Sequence, residues 1–273
     1  MYKLICIDLD GTLLNSKGLV TTTNKQAIRH ALDEGVQVAI VSGRPNCFTI
    51  RIMNQISGRM GHITFNGAYY RISNKTRKFP IDRDVVKQVA RLAKQFDVRV
   101  FFKNKNLSLC TKDNPHIFDY DQNRDITPIK DRMDFKYNLD VEEYLETHDF
   151  DTLKIFSYDD NVEQRKALAK EVEKLDYLNF YSYSDTFEAS SDKASKGKGI
   201  IEVCADLGIE QSEVVCIGDN FNDISMFAIG GLSVAMGNAP EKIKEICDKV
   251  TLTNNEDGVA YAIENFVLKG SKS

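Results

Sequence analysis

A short apolar run near the start of the chain, Lys3-Leu4-Ile5-Cys6-Ile7, breaks into Asp8-Leu9-Asp10-Gly11-Thr12. Such a run is a buried strand, and it delivers two carboxylates, spaced i and i+2, to its own C-terminal end. Side chains two apart on a strand share a face, and the turn at Gly11 exposes that face. Two carboxylates held close together repel each other unless a proton or a metal ion intervenes. The simplest compensators are Mg²⁺, which prefers hard oxygen ligands, and protonation of one carboxyl group.

The segments that follow set the fold class. Thr23–Glu34 is predicted as a helix, with Thr23 and Gln26 as a capping box, Ala27, Ile28, Ala31 and Leu32 as the apolar stripe, and Gly35 as the stop. Val36–Val41 is a second buried strand ending in Ser42-Gly43-Arg44-Pro45, a helix runs over Asn46–Ile56, and His62–Phe65 is a third strand. This β-α-β-α-β order opens a parallel sheet with helical crossovers. The rhythm then changes. Ala68–Ile72 and Arg77–Ile81 read as a hairpin, Asp82–Phe96 as a helix, and Val98–Lys103 with Leu107–Thr111 as antiparallel strands. Leu153–Tyr158, Val162–Leu175 and Leu178–Tyr183 continue a mixed α/β pattern. Parallel-sheet rhythm returns with a helix at Gly199–Leu207, a strand at Glu213–Gly218 ending in Asp219-Asn220, and further strands at Gly231–Met236 and Lys249–Leu252. Short helices at Asn222–Ala228 and Pro240–Cys247 and a last helix at Gly258–Leu268 lie between and after them, and Lys269–Ser273 is expected to fray. The expected organisation is a discontinuous core, 1–81 with 186–273, interrupted by a second domain at 82–185.

Composition narrows the function classes. A net charge of −4 argues against nucleic acid as the main partner, because binding its phosphates needs a basic face. The six cysteines form no C-x-x-C pair, and Cys6 and Cys216 lie inside apolar runs as small buried hydrophobes, a usage that suits a reducing cytosol. The early acidic residue Asp8 leaves no room for a signal-peptide apolar region, and no apolar run approaches the roughly 20 residues of a membrane span. A cytoplasmic protein without membrane partners, a monomer or weak homo-oligomer, is expected.

Four polar groups sit on element ends: Asp8/Asp10, Ser42-Gly43, Lys196-Gly197, and Asp219 through Asp223. Ligands of open parallel sheets bind beyond the carboxyl ends of the strands, so these distant groups are expected at one edge. Each has a plainer reading. The first could be a strand-to-turn transition, the second a helix cap, and Lys196 a solvated lysine with Lys193 and Lys198 as rivals. The fourth could be a calcium-type loop, although the later acidic ligand of that motif is missing. Together the four suit phosphoryl transfer. Asp8 would be a nucleophile, Asp10 an acid and base, and Asp219 the completion of a Mg²⁺ site. Ser42, the Gly43 N–H and Asn222 would donate to phosphate oxygens, Lys196 would neutralise charge, and Asp223 would orient Lys196 or metal-bound water.

Asp8-Leu9-Asp10-Gly11-Thr12, Val41-Ser42-Gly43-Arg44, Lys196-Gly197 and Gly218-Asp219-Asn220-Phe221-Asn222-Asp223 resemble the four motifs of the haloacid-dehalogenase superfamily. Asp10 through Asn15, Asn66-Gly67-Ala68 and Ala235-Met236-Gly237-Asn238-Ala239 are similar to its Cof-type, sugar-phosphatase-like branch. The resemblance implies a Rossmann-like parallel-sheet core with an inserted C2-type α/β cap, and a Mg²⁺-dependent phosphatase acting on small phosphorylated metabolites. It implies Asp8 as nucleophile, Asp10 as acid/base, Asp8, the Asp10 carbonyl and Asp219 as metal ligands, and Leu9, Ser42, Gly43, Lys196 and Asn222 as substrate contacts. A phosphomutase or phosphotransferase, or a non-catalytic sensor of phosphorylated metabolites, are the alternative readings.

Overall fold

The computed structural model describes residues 1–113 and 131–269; the end of the tail expected to fray, 270–273, lies outside them. The chain divides into two compact units, Met1–Arg77 with Ser195–Ser273, and Lys78–Ala194. In chain order the elements begin with β1 (Leu4–Asp8), α1 (Thr22–Asp33), β2 (Gln37–Val41), α2 (Asn46–Ile56), β3 (Gly61–Thr64), β4 (Tyr69–Ile72) and β5 (Lys75–Lys78). Then come α3 (Arg83–Gln95), β6 (Val100–Lys103), β7 (Leu107–Cys110), β8 (Asp134–Lys136), α4 (Val141–Thr147), β9 (Lys154–Ser157), α5 (Val162–Val172), β10 (Leu178–Ser182) and β11 (Phe187–Ser191). The last are α6 (Lys196–Leu207), β12 (Val214–Gly218), α7 (Ile224–Phe227), β13 (Leu232–Ala235), α8 (Glu241–Ile246), β14 (Lys249–Val250) and α9 (Gly258–Ala262).

The first unit is built on a sheet in the order β14-β13-β12-β1-β2-β3-β4-β5. From β14 through β3 every pairing is parallel, and β4 then pairs antiparallel to β3. This is the Rossmann-like core expected. The chain moves one way from β1 to β2 and β3 and later places β12 on the other flank of β1, so the order reverses between β1 and β12. That reversal opens a crevice at the strand ends. Register brings the polar groups level: Asp8 pairs with Val41, the residue before Ser42, and Ile7 pairs with Ile217, two before Asp219. Ile5, Ile7, Val38, Ile40, Val215 and Ile217 join the α1 stripe, Ala27, Ile28, Ala31 and Leu32, in one apolar cluster.

Helix starts depart from the sequence reading in instructive ways. The N-cap of α1 is Thr21, whose hydroxyl accepts from the Asn24 N–H at 3.2 Å; Thr23 is already helical. Thr21 wins because its backbone is extended while the next residues have turned in. Helix α6 begins at Lys196 rather than Gly199, capped by the Ser195 hydroxyl, which accepts from the Lys198 N–H. The last helix is shorter than expected, with a π-helical turn over Ile263–Leu268. Strand β14 has two residues instead of four.

The second unit carries a sheet in the order β10-β11-β9-β6-β7-β8, antiparallel except between β7 and β8. Val100, Phe102, Leu109, Ile155, Phe187 and Ala189 face a cluster built from α3, α4 and α5, among them Val89, Leu145 and Leu168. Strands β8 and β11 and helix α4 were not foreseen. Helix α4, Val-Glu-Glu-Tyr-Leu-Glu-Thr, buries only Val141 and Leu145, too sparse a stripe to stand out. No helix among the described residues is long and apolar enough to cross a membrane. Phe102 is fully buried. Truncation, F102A, should destabilise its unit by about 3–5 kcal/mol through lost burial and a residual cavity, read as a lower urea midpoint for the transition of that unit.

Candidate active site

The site lies in the first unit and starts where β1 runs out. The Asp8 carbonyl accepts from the Leu13 N–H and the Leu9 carbonyl from the Leu14 N–H, which closes the loop after the strand. The Asn238 amide donates to the Gly11 carbonyl at 2.8 Å and the Asn254 amide to the Leu14 carbonyl at 2.9 Å, so the loop is fixed from outside as well. Gly11 has φ +81°, and a Cβ there would lie 2.4 Å from Asp219 Oδ2. Only glycine lets the β1 loop and the Asp219 side chain come this close. Thr12 donates its hydroxyl to Asp219 Oδ1 at 2.8 Å.

Lys196 organises the centre. It is 2 % exposed, and its ammonium donates to Asp8 Oδ1 at 2.5 Å and to Asp223 Oδ1 at 2.5 Å. The exposed neighbours Lys193 and Lys198 do not share this position. Asp223 is also buried, and its Oδ2 accepts from the Asp219 and Asn220 N–H groups at 2.9 and 3.0 Å. Asp223 therefore ties the turn after β12 to the lysine. The start of α6 presses against its neighbours through glycine: a Cβ on Gly197 would lie 2.0 Å from the Ser225 carbonyl oxygen, and one on Gly67 2.0 Å from that of Ser195.

Oxygens of Asp8, Asp219 and Asp223 lie within 4.8 Å of one another. Three carboxylates against one ammonium leave negative charge that protons or a divalent cation must neutralise. Burial pushes the Asp8 carboxyl up to about 8, against the pull of Lys196, with Asp223 and Asp219 adding repulsion. Burial also raises Asp219, while the Thr12 hydrogen bond works the other way. Burial opposes the Lys196 charge, but the Asp8 and Asp223 carboxylates outweigh it and hold the ammonium above the usual lysine range. Hard oxygen donors and excess negative charge fit a small divalent cation.

The other sequence-derived residues fall around this centre. Ser42 is buried, and its Oγ accepts from the Arg44 N–H at 3.1 Å. At Gly43 a Cβ would lie 2.7 Å from Asn66 Oδ1. Asn222 is half-buried on the 3₁₀ turn Phe221–Asp223. The Leu9 side chain is packed in the core cluster, so only its backbone is left to meet a ligand. The Asp10 carboxylate stands apart from the acidic cluster and pairs with Arg44 at 2.7 Å through both oxygens. Sequence reasoning assigned no role to Thr12 or Arg44. Their adjacency to Asp10 and to Ser42-Gly43 was the available signal.

A family model described as haloacid dehalogenase-like hydrolase matches residues 5–263. The chain belongs to this family. Among curated relatives of the haloacid dehalogenase-like hydrolases, it is 30 % identical to phosphatase YwpJ of Bacillus subtilis, over 97 % of this chain and 100 % of that one. It is 32 % identical to the 5-amino-6-(5-phospho-D-ribitylamino)uracil phosphatase YcsE of the same organism, over 97 % and 96 %. A solved haloacid dehalogenase-like hydrolase from B. subtilis superposes with a TM-score of 0.79 at 29 % identity, covering 97 % of this chain and 100 % of that one. A Thermotoga maritima structure superposes with a TM-score of 0.81 at 28 % identity, covering 97 % of both. The protein is thus an enzyme of the phosphatase kind.

Removing the central cation tests the charge balance. Lys196→Met should leave the buried Asp223 carboxylate without its cation and cost about 3–5 kcal/mol of stability, measured by denaturant unfolding at neutral pH without divalent ions.

Proposed function

We propose that the enzyme hydrolyses small phosphate monoesters, sugar phosphates or similar metabolites, through a phosphoryl group carried on Asp8, with Mg²⁺ as cofactor. The observation that carries this reading is the buried Asp8–Lys196–Asp223 bridge with Asp219 beside it. Support for the substrate class comes from the phosphorylated ribityl compound in the name of the relative YcsE.

Asp8 uses one oxygen on Lys196, and its other oxygen, which takes no hydrogen bond from the described residues, is the attacking atom. That oxygen forms a bond to phosphorus as the ester P–O bond breaks. Asp10 gives its proton to the leaving oxygen, then takes one from the water that releases inorganic phosphate and restores Asp8. Ser42, the Gly43 N–H, the Leu9 backbone and Asn222 hold phosphate oxygens, and Lys196 offsets their charge. Asp8, Asp219 and the Asp10 carbonyl would hold Mg²⁺. Bound there, it would supply positive charge that offsets the repulsion between the Asp8 carboxylate and an anionic phosphate. We assign choice of leaving group to the inserted unit, Lys78–Ala194.

Asp8→Asn should abolish release of inorganic phosphate from an aryl phosphate, by at least about 10³-fold, with an unchanged circular dichroism spectrum; activity near that of the parent would overturn the reading. A panel of hexose, pentose and nucleoside phosphates, assayed with Mg²⁺ and with chelator, ranks substrates. Recovery of a phosphorylated acceptor in place of inorganic phosphate would make the enzyme a phosphotransferase.

Metal and proton compete for Asp8. The folded carboxyl is raised above its unfolded value, so without metal its proton stabilises the fold at low pH, and that contribution is lost as pH rises through about 8. Mg²⁺ needs the carboxylate, so the gain in melting temperature on adding it should be larger at pH 9 than at pH 6. An equal gain at both would contradict the competition.

A further inference from the structure

We propose that Arg44 is the positioning residue for Asp10, fixing where that carboxyl group points during P–O cleavage; this rests on the acid/base role proposed above. Arg44 Nε donates to Asp10 Oδ2 and its terminal nitrogen to Oδ1, both at 2.7 Å. These are the only side-chain hydrogen bonds that reach the Asp10 carboxylate among the described residues. Asp10 sits in the loop after β1, with its side chain 51 % exposed. Left alone there it would sample several rotamers. A guanidinium fork sets both the position and the plane of a carboxylate, which a lysine ammonium does not.

Arg44 is itself pinned from three sides. Its N–H donates to Ser42 Oγ at 3.1 Å, and its carbonyl accepts from the Phe65 N–H at 3.2 Å. Its guanidinium lies over the Phe48 ring of α2, 5.3 Å from the centroid. A half-exposed ion pair contributes little to stability, and three anchors on one such arginine exceed what a stabilising surface pair needs. The chain Phe48–Arg44–Asp10 instead transmits the rigidity of α2 to a group on another loop. Through Ser42 the same arginine links Asp10 to a proposed phosphate contact, so acid and phosphate are placed by one element. One arm of the fork has to open for an Asp10 oxygen to carry the proton; the other arm keeps the carboxyl in place. The proton then passes to the leaving oxygen as the ester bond breaks toward it.

The test is a double-mutant cycle read with two substrates. Glycerol 2-phosphate has a poor leaving group that needs the proton, and 4-nitrophenyl phosphate has a good one that does not. Positioning predicts that Arg44→Ala lowers kcat/KM for glycerol 2-phosphate by about 10-fold or more, a part of the roughly 10²–10⁴-fold that general acid catalysis supplies, and changes that for 4-nitrophenyl phosphate several-fold less. Arg44→Lys should fall between parent and Arg44→Ala, and Arg44→Ala should cost nothing further in an Asp10→Asn background. Equal losses on both substrates that add to Asp10→Asn would overturn the proposal and make Arg44 a phosphate contact or a structural residue. Parent-like kinetics in Arg44→Ala would also overturn it. The Asp10→Asn variant alone reports on the acid role, and Asp8→Asn on the nucleophile, so failure of the mechanism is seen separately from failure of the positioning.

Discussion

A single buried ammonium holds this site together. Lys196 lies between Asp8 and Asp223, two largely buried acids that without it would face each other with no cation between them. Burying a charge is costly unless it is paired and hydrogen-bonded, and here each partner is also fixed by its own element. Asp8 is the last residue of β1, Lys196 the first of α6, and Asp223 closes the turn after β12. The bridge is therefore also a clamp between three segments that are far apart in the chain. It leaves the cluster short of positive charge, and that shortfall is what makes the site a place for a cation or a proton.

The fold supplies the convergence. Strands β12, β1 and β2 are neighbours in parallel register, so their carboxyl ends finish at one level, and the order of the sheet reverses beside β1. Close packing there depends on absent side chains. Gly11 admits Asp219, and Gly67 and Gly197 let the start of α6 sit against backbone. A methyl group at any of these three points would meet an atom at 2.4 Å or less, so the geometry of the charged groups is set partly by residues that carry no charge.

The parallel core was legible because its strands are continuous apolar runs and its first helix has a clear stop at Gly35. Lys3–Ile7, Val36–Val41 and Glu213–Gly218 carry this pattern, and all three lie in the central sheet. The acids of the candidate site were legible for the same reason: Asp8 ends one buried strand and Asp219 follows another. What escaped were weakly patterned elements and long-range partners. Strand β11, Phe-Glu-Ala-Ser-Ser, is as long as β1 but ends in two serines instead of continuing an apolar run, and nothing in the sequence ties Thr12 to Asp219, 207 positions away. The true cap of α1 was missed because Thr21, Thr22 and Thr23 are chemically alike and only backbone geometry separates them. Asp10 and Arg44 show the same limit. Both stood inside quoted motifs, yet their pairing exists only once β1 and β2 lie side by side.

The central claim is that Asp8 attacks phosphorus. The most direct measurement is rapid quenching of the enzyme with phosphate monoester and Mg²⁺, followed by borohydride reduction and peptide mass mapping. The account predicts that fragment sequencing of the converted peptide places the reduced side chain at Asp8 and not at Asp10, reporting an acyl phosphate at Asp8 during turnover. Turnover with no trapped carboxyl, or trapping at Asp10, Asp219 or Asp223 instead, would contradict it.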